Sequence, residues 1–319
     1  MRTVAPKRGK VVAVHQKKVQ TVVAKNRNFL VVNAFADGAF GGNPAGVFPD
    51  AQGLDDVTMQ AYAKQLNLVE TVFLTKSAEA DYRLRYFSPN GEVPIAGHPS
   101  VAAWMALHNK KLIDTSKKSH YTQINKAGTQ EIQFDVSNSD QPMVTMKQPT
   151  PRFLEGQFDA EHVASVLGIE EKHIDTQLPI HAVDCGLGHL IVPIRTLEAL
   201  MMVKRHVEPL RKLCQQAGVR EAQIFCFETL NKSYNIHTRN ICPREGLEDP
   251  ACGNGNGALA AYLGRYCWTE RKDFTIRAEQ GNVVHMPSVI YTRAVRTGKQ
   301  FEVFVGGTAV VMLEGEFKV

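Results

Sequence analysis

From residue 29 the chain opens on an apolar run, Phe29-Leu-Val-Val-Asn-Ala-Phe35, and then turns through Asp37-Gly-Ala-Phe-Gly-Gly-Asn-Pro44. An apolar stretch of that length bounded by glycines and proline predicts a strand followed by a loop. Over residues 55–66, Val57, Ala61, Tyr62 and Leu66 recur at roughly helical spacing behind Asp55, a residue suited to cap a helix, and Asn67 ends the pattern. Residues 68–74 then read as a buried strand interrupted by one carboxylate, Glu70. Residues 82–87 predict another strand, and 100–112 a mostly apolar helix.

After a polar middle and the proline-bearing Gln148-Pro-Thr-Pro151, the same grammar restarts. Residues 160–167 and 197–217 predict helices, the second interrupted near Pro209, because proline lacks a donor and clashes with the preceding turn. Strands follow at 222–230 and 234–238, a helix at 258–266, and β-rich text from Phe274 onward. Many strands with few helices predict a mixed α+β fold rather than a regular βαβ array.

One segment occurs twice. Glu92-Val-Pro-Ile-Ala-Gly-His-Pro-Ser-Val-Ala-Ala-Trp104 can be laid over Glu248-Asp-Pro-Ala-Cys-Gly-Asn-Gly-Asn-Gly-Ala-Leu-Ala-Ala-Tyr262, 156 residues later. Each copy is a Glu-x-Pro-x-x-Gly turn that opens an alanine-rich helix, and each follows a strand that begins with tyrosine. The echo predicts a duplicated domain. A glycine turn entering a helix exposes backbone N–H groups at the positive end of the helix dipole, so two such turns facing each other would form one anion-receptive cleft. Tight strand-to-helix connections alone would leave the same trace. The segment Gly253-Asn-Gly-Asn-Gly257 lacks the spacing and setting of a dinucleotide loop.

Charge changes the picture only at the N-terminus. The net charge is +5, but residues 1–28 hold eight Lys and Arg and no Asp or Glu, which leaves the remainder acidic at −3. Such a body offers no footprint for nucleic acid. Residues 1–28 read as a basic extension, with a targeting peptide or a polyanion-binding arm as sharper readings. The six cysteines contain no CxxC pair and the eleven histidines no HExxH, so neither a disulfide framework nor a metal is expected. Without a long apolar run or an export pattern, the expected location is the cytoplasm.

Four blocks carry a resemblance: Asn33-Ala-Phe35 with Gly41-Gly-Asn-Pro-Ala-Gly-Val47; Asn67-Leu-Val-Glu-Thr-Val-Phe-Leu74; Ala96-Gly-His-Pro-Ser100; and Glu248-Asp-Pro-Ala-Cys-Gly253 with Ala258-Leu-Ala-Ala-Tyr262. In this order they resemble the signature of the phenazine-biosynthesis-like (PhzF-like) family. The resemblance implies a diaminopimelate epimerase-like fold of two pseudo-symmetric domains, each a mixed sheet curled around a central helix. The expected division is 1–28 as extension, 29–148 and 185–319 as the two domains, and 149–184 as connection. It further implies a cofactor-independent isomerase acting on a small carboxylic acid substrate, with Glu70 shuttling a proton and His98 and Asp249 as further catalytic residues. A homodimer is also expected, with no nucleic acid or membrane partner. The alternative is a non-catalytic binding or interaction protein of the same fold.

Asn43, Gly97, Gly253, Asn254 and Gly255 are the expected substrate-binding positions. Asn254 departs from the family, which commonly has Ser there; a hydroxyl relay would be lost, although an amide still donates and accepts. Apolar neighbours predict that the Glu70 pKa rises from about 4.3 toward neutrality, which suits a group that both takes and returns a proton. Bland readings stand beside these: Glu70 as a paired structural carboxylate, His98 as an ordinary loop histidine, Asp249 as a cap. Cys252 is the candidate secondary base or an unreactive small residue in a tight turn. Ala96 occupies the matching place in the first half, which excludes a symmetrical two-thiol mechanism.

Overall fold

The structure, a computed structural model, describes residues 26–36, 38–137, 142–244 and 246–318. The basic segment up to residue 25 therefore lies outside the described residues. The first half runs β1 (Arg27–Ala34), β2 (Asn43–Phe48), α1 (Asp56–Leu66), β3 (Glu70–Lys76), β4 (Tyr82–Ser88), β5 (Gly91–Val93), α2 (Gly97–Asn109), β6 (His120–Asn125), β7 (Gly128–Asp135) and β8 (Met143–Lys147). After β9 (Arg152–Phe153) and α3 (Ala160–Leu167), the second half runs β10 (His181–Asp184), β11 (Gly188–Pro193), α4 (Leu197–Met202) and α5 (Val207–Gln216). It continues through β12 (Glu221–Cys226), β13 (Ile236–Cys242), β14 (Leu247–Asp249), α6 (Gly253–Tyr266), β15 (Asp273–Gln280), β16 (Ser288–Thr297), β17 (Gln300–Gly307) and β18 (Ala309–Phe317).

The pairings of one half repeat in the other. β1 and β2 are antiparallel, β2 and β3 parallel, β3 and β4 antiparallel, and β4 and β6 parallel. The series β10–β11, β11–β12, β12–β13 and β13–β15 has the same four senses in the same order. β8 pairs with β17 where the halves meet, β9 joins the second half's sheet by pairing with β10, and β18 returns to β1. The C-terminal strand thus completes the first half's sheet, and a linear cut between the halves would sever it.

Local chemistry explains the helices. Asp55 caps α1 by accepting from the Thr58 N–H, and Asn67 ends it in the left-handed conformation. α2 and α6 are buried nearly all round, as expected of helices enclosed by sheet rather than laid on a surface. α2 packs on β1, β2, β3, β8 and β18, and α6 on β10, β11, β12, β16 and β17. Gly264 lets α6 approach this closely, since a Cβ there would sit 2.5 Å from a Phe301 ring carbon. The break expected near Pro209 falls earlier, between α4 and α5. Pro209 instead occupies the first turn of α5, where its missing N–H has no intrahelical partner to lose.

A matching ion pair fixes the correspondence at residue level. Arg85 of β4 forks onto Glu92 of β5 at 2.9 and 2.8 Å, and Arg239 of β13 forks onto Glu248 of β14 at 2.9 and 2.9 Å. The two glutamates are those that open the sequence echo.

Candidate active site

The two central helices begin at one place. Asn254, on the first turn of α6, has its Oδ1 only 3.9 Å from where a Cβ on Gly97 would stand, at the start of α2. Asn43, at the head of β2, bridges the halves: its Nδ2 donates to Asp249 Oδ1 at 2.7 Å and to the Ala251 carbonyl at 3.3 Å. The structure therefore brings Asn43, Gly97, His98, Asp249, Cys252, Gly253 and Asn254 to one seam. Gly255 stands one step back, packed against Gln223 and Asn240, where a Cβ would clash with the Gln223 side chain at 2.3 Å.

On the first-half side, Glu70 opens β3 with its carboxylate 3.6 Å from His98 Nδ1, and its side chain keeps 20% of its exposure. The apolar surroundings expected of it are thus partial; Val69 beside it is exposed. His98 is buried, and burial pushes its pKa down to about 3 despite a bond to the Pro44 carbonyl. The imidazole is neutral, so the contact with Glu70 is not an ion pair. Its Nε2 is buried and has no partner among the described residues. Below this pair Tyr86, Ser100 and Gln123 form a buried network, with Tyr86 Oη 2.6 Å from Ser100 Oγ.

On the second-half side, Asp249 is enclosed, and burial pushes its pKa up to about 7 against the pull of a bond from the Ala251 N–H. That N–H and Asn43 Nδ2 both address Oδ1, so the acid proton belongs on Oδ2. Asn43 Oδ1, itself buried, has no partner among the described residues. The seam thus presents two unmatched polar atoms, a carboxylate, an acid that titrates near neutrality and two helix N-termini.

Sequence reading singled out Cys252 but missed the two side chains beside it, His189 and Glu221. Cys252 caps α6, accepting from the Gly255 N–H at 3.3 Å, and its Sγ lies 3.5 Å from His189 Nε2 and 3.8 Å from Glu221 Oε2. His189 Nε2 is 3.0 Å from Glu221 Oε2, and its Nδ1 lies 2.8 Å from the Leu187 carbonyl. The three donor atoms fall within 4.8 Å of one another, near enough to share an ion. They are already matched to each other as a proton network, which is how we read them.

The chain matches the phenazine biosynthesis-like protein family over residues 32–315. An uncharacterized isomerase of Clostridium acetobutylicum is 31% identical, with 91% of this chain and 97% of that protein covered. The trans-2,3-dihydro-3-hydroxyanthranilate isomerase of Pseudomonas fluorescens is 29% identical, with 90% and 98% covered. Among solved structures, the PhzF-family phenazine biosynthesis protein of Bacillus anthracis superposes with a TM-score of 0.87 at 28% identity, covering 92% of this chain and all of that one. Fold and relatives together define an isomerase with the two-part epimerase-like architecture. The chain belongs to the phenazine biosynthesis-like protein family.

Proposed function

We propose that this protein is a cofactor-independent isomerase or epimerase that moves a proton on a small carboxylic acid, with Glu70 as the general acid and base. The observation that carries the reading is the pairing at the start of α2: a partly exposed carboxylate beside a buried, neutral histidine whose Nε2 has no partner among the described residues. Burial keeps the His98 imidazole uncharged, so its contact with Glu70 is not an ion pair. His98 Nε2 would pair with a polar group of the substrate and orient it. The N-termini of α2 and α6 would receive the substrate carboxylate, and Asp249, poised near neutrality, would hold or release a proton at Oδ2. The seam lies between the proposed domains 29–148 and 185–319.

The test is deuterium wash-in. Wild type and Glu70→Gln are incubated in deuterated water with a panel of small carboxylic acids, trans-2,3-dihydro-3-hydroxyanthranilate among them, and carbon-bound deuterium is read by NMR. Incorporation by wild type that drops about 10²- to 10⁴-fold in the variant is expected. Equal incorporation by both proteins would remove Glu70 from the role, and none with any acid would favour a binding protein.

A further inference from the structure

The registers that relate the halves pair them residue by residue. Glu70 and Glu221 each open the third strand of their half, and Asn125 and Gln280 each close the strand that runs parallel to the arginine-bearing one, β6 beside β4 and β15 beside β13. On the central helices Ser100 answers to Asn256. Ser100 Oγ donates to the Ala96 carbonyl at 2.8 Å, and Asn256 Nδ2 to the Cys252 carbonyl at 2.9 Å, so each helix cap is held from inside its own sheet. The halves part at the turn before the helix, where Val93 of β5 stands in the place of Asp249 of β14. Asn125 bonds Gln130 and the Ala127 N–H, whereas Gln280 Nε2 donates to the Asp249 backbone carbonyl at 2.7 Å.

We propose that Gln280, with Asn256 and Thr238, is a positioning residue for Asp249: it holds the backbone of the acid from the second half while Asn43 holds the carboxyl from the first. The proposal rests on the reading of Asp249 as the acid of the site given above. It concerns side chains behind the turn, out of reach of a substrate, since Gln280 and Thr238 are wholly buried and Asn256 keeps 2% of its exposure.

The direction of the bonds in this group follows from their ends. The Asn256 amide nitrogen faces two acceptors, the Cys252 carbonyl and Gln280 Oε1, both at 2.9 Å, and donates to each. Gln280 Oε1 also lies 3.0 Å from the Thr238 hydroxyl, which leaves Nε2 for the Asp249 carbonyl. One side-chain amide so ties β13, β15 and α6 to the last residue of β14. Gly281, next in the chain, makes room for this: its backbone is left-handed, and a Cβ on it would lie 2.7 Å from the Pro250 carbonyl oxygen. At the other end of the same residue, Asp249 Oδ1 takes the Asn43 amide and the Ala251 N–H. Asp249 is thereby fixed at backbone and side chain, and its carboxyl stays enclosed, which is the main reason its pKa stands at about 7. A buried carbonyl that loses its donor must find another, and water is the donor at hand. Water admitted to the turn would solvate the carboxyl and let its pKa fall. The other groups acting on Asp249 are Glu221 of β12, which raises its pKa, and His189 of β11, which lowers it, with the Cys252 thiol at the cap of α6. Gln280 carries no charge, so it acts through position.

Carboxyl NMR of protein labelled with carbon-13 at aspartate tests this without a substrate. The Asp249 signal, assigned by its loss in Asp249→Asn, is titrated over about pH 3 to 9 in wild type, Gln280→Met, Asn256→Ala, Asn256→Ser and Gln123→Met, and each protein is also melted. Gln280→Met keeps the length of the side chain without its amide, and the Asp249 midpoint should fall by about one unit or more, a tenfold or greater loss of the protonated fraction at higher pH. Asn256→Ala should lower it less, and Asn256→Ser, which keeps a donor for the Cys252 carbonyl as Ser100 does for Ala96, should lie nearer wild type. Gln123→Met removes the interior amide of the first half, which donates to Tyr86 and Ser100, and should leave the Asp249 midpoint in place while lowering the melting temperature. A merely structural role would lower the melting temperature in Gln280→Met and Gln123→Met alike with the midpoint unmoved, and would overturn the proposal. If Gln280→Met fails to fold, the Asn256 variants decide, and midpoints equal to wild type in both overturn it. A wild-type midpoint near the ordinary 3.8 would overturn the reading of Asp249 and the proposal together, whereas one near 7 that no variant moves overturns the proposal alone.

Discussion

The two halves share a backbone plan and differ in what they bury. The first-half fork between Arg85 and Glu92 keeps 24% and 13% of its side-chain exposure, whereas the second-half fork between Arg239 and Glu248 keeps 2% and 1%. Arg239 is further tied to the carbonyls that end α4, Leu200 and Val203, both at 2.8 Å. Around the seam the contrast repeats: Glu70 is partly open, while Glu221 and His189 are sealed behind Cys252. Duplication supplied one scaffold twice, and burial then assigned different work to equivalent positions. An open carboxylate can exchange protons with a ligand, and an enclosed one can only set the charge of its neighbours.

The comparison can be broken by substitution. The largest effect is expected at Glu70: Gln keeps the shape but accepts no proton, and turnover should drop about 10²- to 10⁴-fold with thermal stability nearly unchanged. Next comes Arg239→Ala, which leaves Glu248 charged in the interior and should cost about 3–5 kcal/mol in denaturant unfolding. The matching Arg85→Ala should cost about 1 kcal/mol or less, because water screens that pair. Equal losses would show that exposure does not separate the halves.

A pH signature follows from Asp249. Its folded pKa of about 7 lies above the ordinary 3.8, so the native state holds its proton more tightly than the unfolded chain does. The stabilisation is complete below about pH 4 and is lost as pH rises through about 7. Melting temperatures over that range should decline more in wild type than in Asp249→Asn; parallel curves would contradict the burial assigned here. The smallest effect is expected from Gly97→Ala. A Cβ there meets nothing nearer than 3.9 Å, so stability should be unchanged, while the same substitution at Gly255 meets Gln223 at 2.3 Å and should lower it measurably.

Much of this arrangement was legible in the sequence. The cap Asp55 and the stop Asn67 bound α1 as their chemistry requires, and the echo of Glu92 with Glu248 marks two equivalent turns. The second carboxylate was not found, although its signal was present: Arg220-Glu221-Ala-Gln-Ile-Phe225 repeats the plan of Val69-Glu70-Thr-Val-Phe73, a glutamate at the head of an apolar strand. The connections from β12 to β13 and from β13 to β14 are longer than those from β3 to β4 and from β4 to β5, so the offset is 151 at Glu221 and 156 at Glu248, and a fixed spacing of 156 passes over it. His189 carries no local signal at all. It becomes chemically meaningful only when β11 lies parallel to β12, and pairing between distant strands is a property of the folded sheet.

The most direct test sets the two equivalent carboxylates against each other in one assay, the rate of deuterium wash-in to a turned-over acid for Glu70→Gln and Glu221→Gln. The account predicts that Glu70→Gln loses about 10²- to 10⁴-fold, while Glu221→Gln stays within about tenfold of wild type. Near-complete loss in Glu221→Gln together with retained wash-in by Glu70→Gln would contradict it, and would place the working carboxylate in the second half.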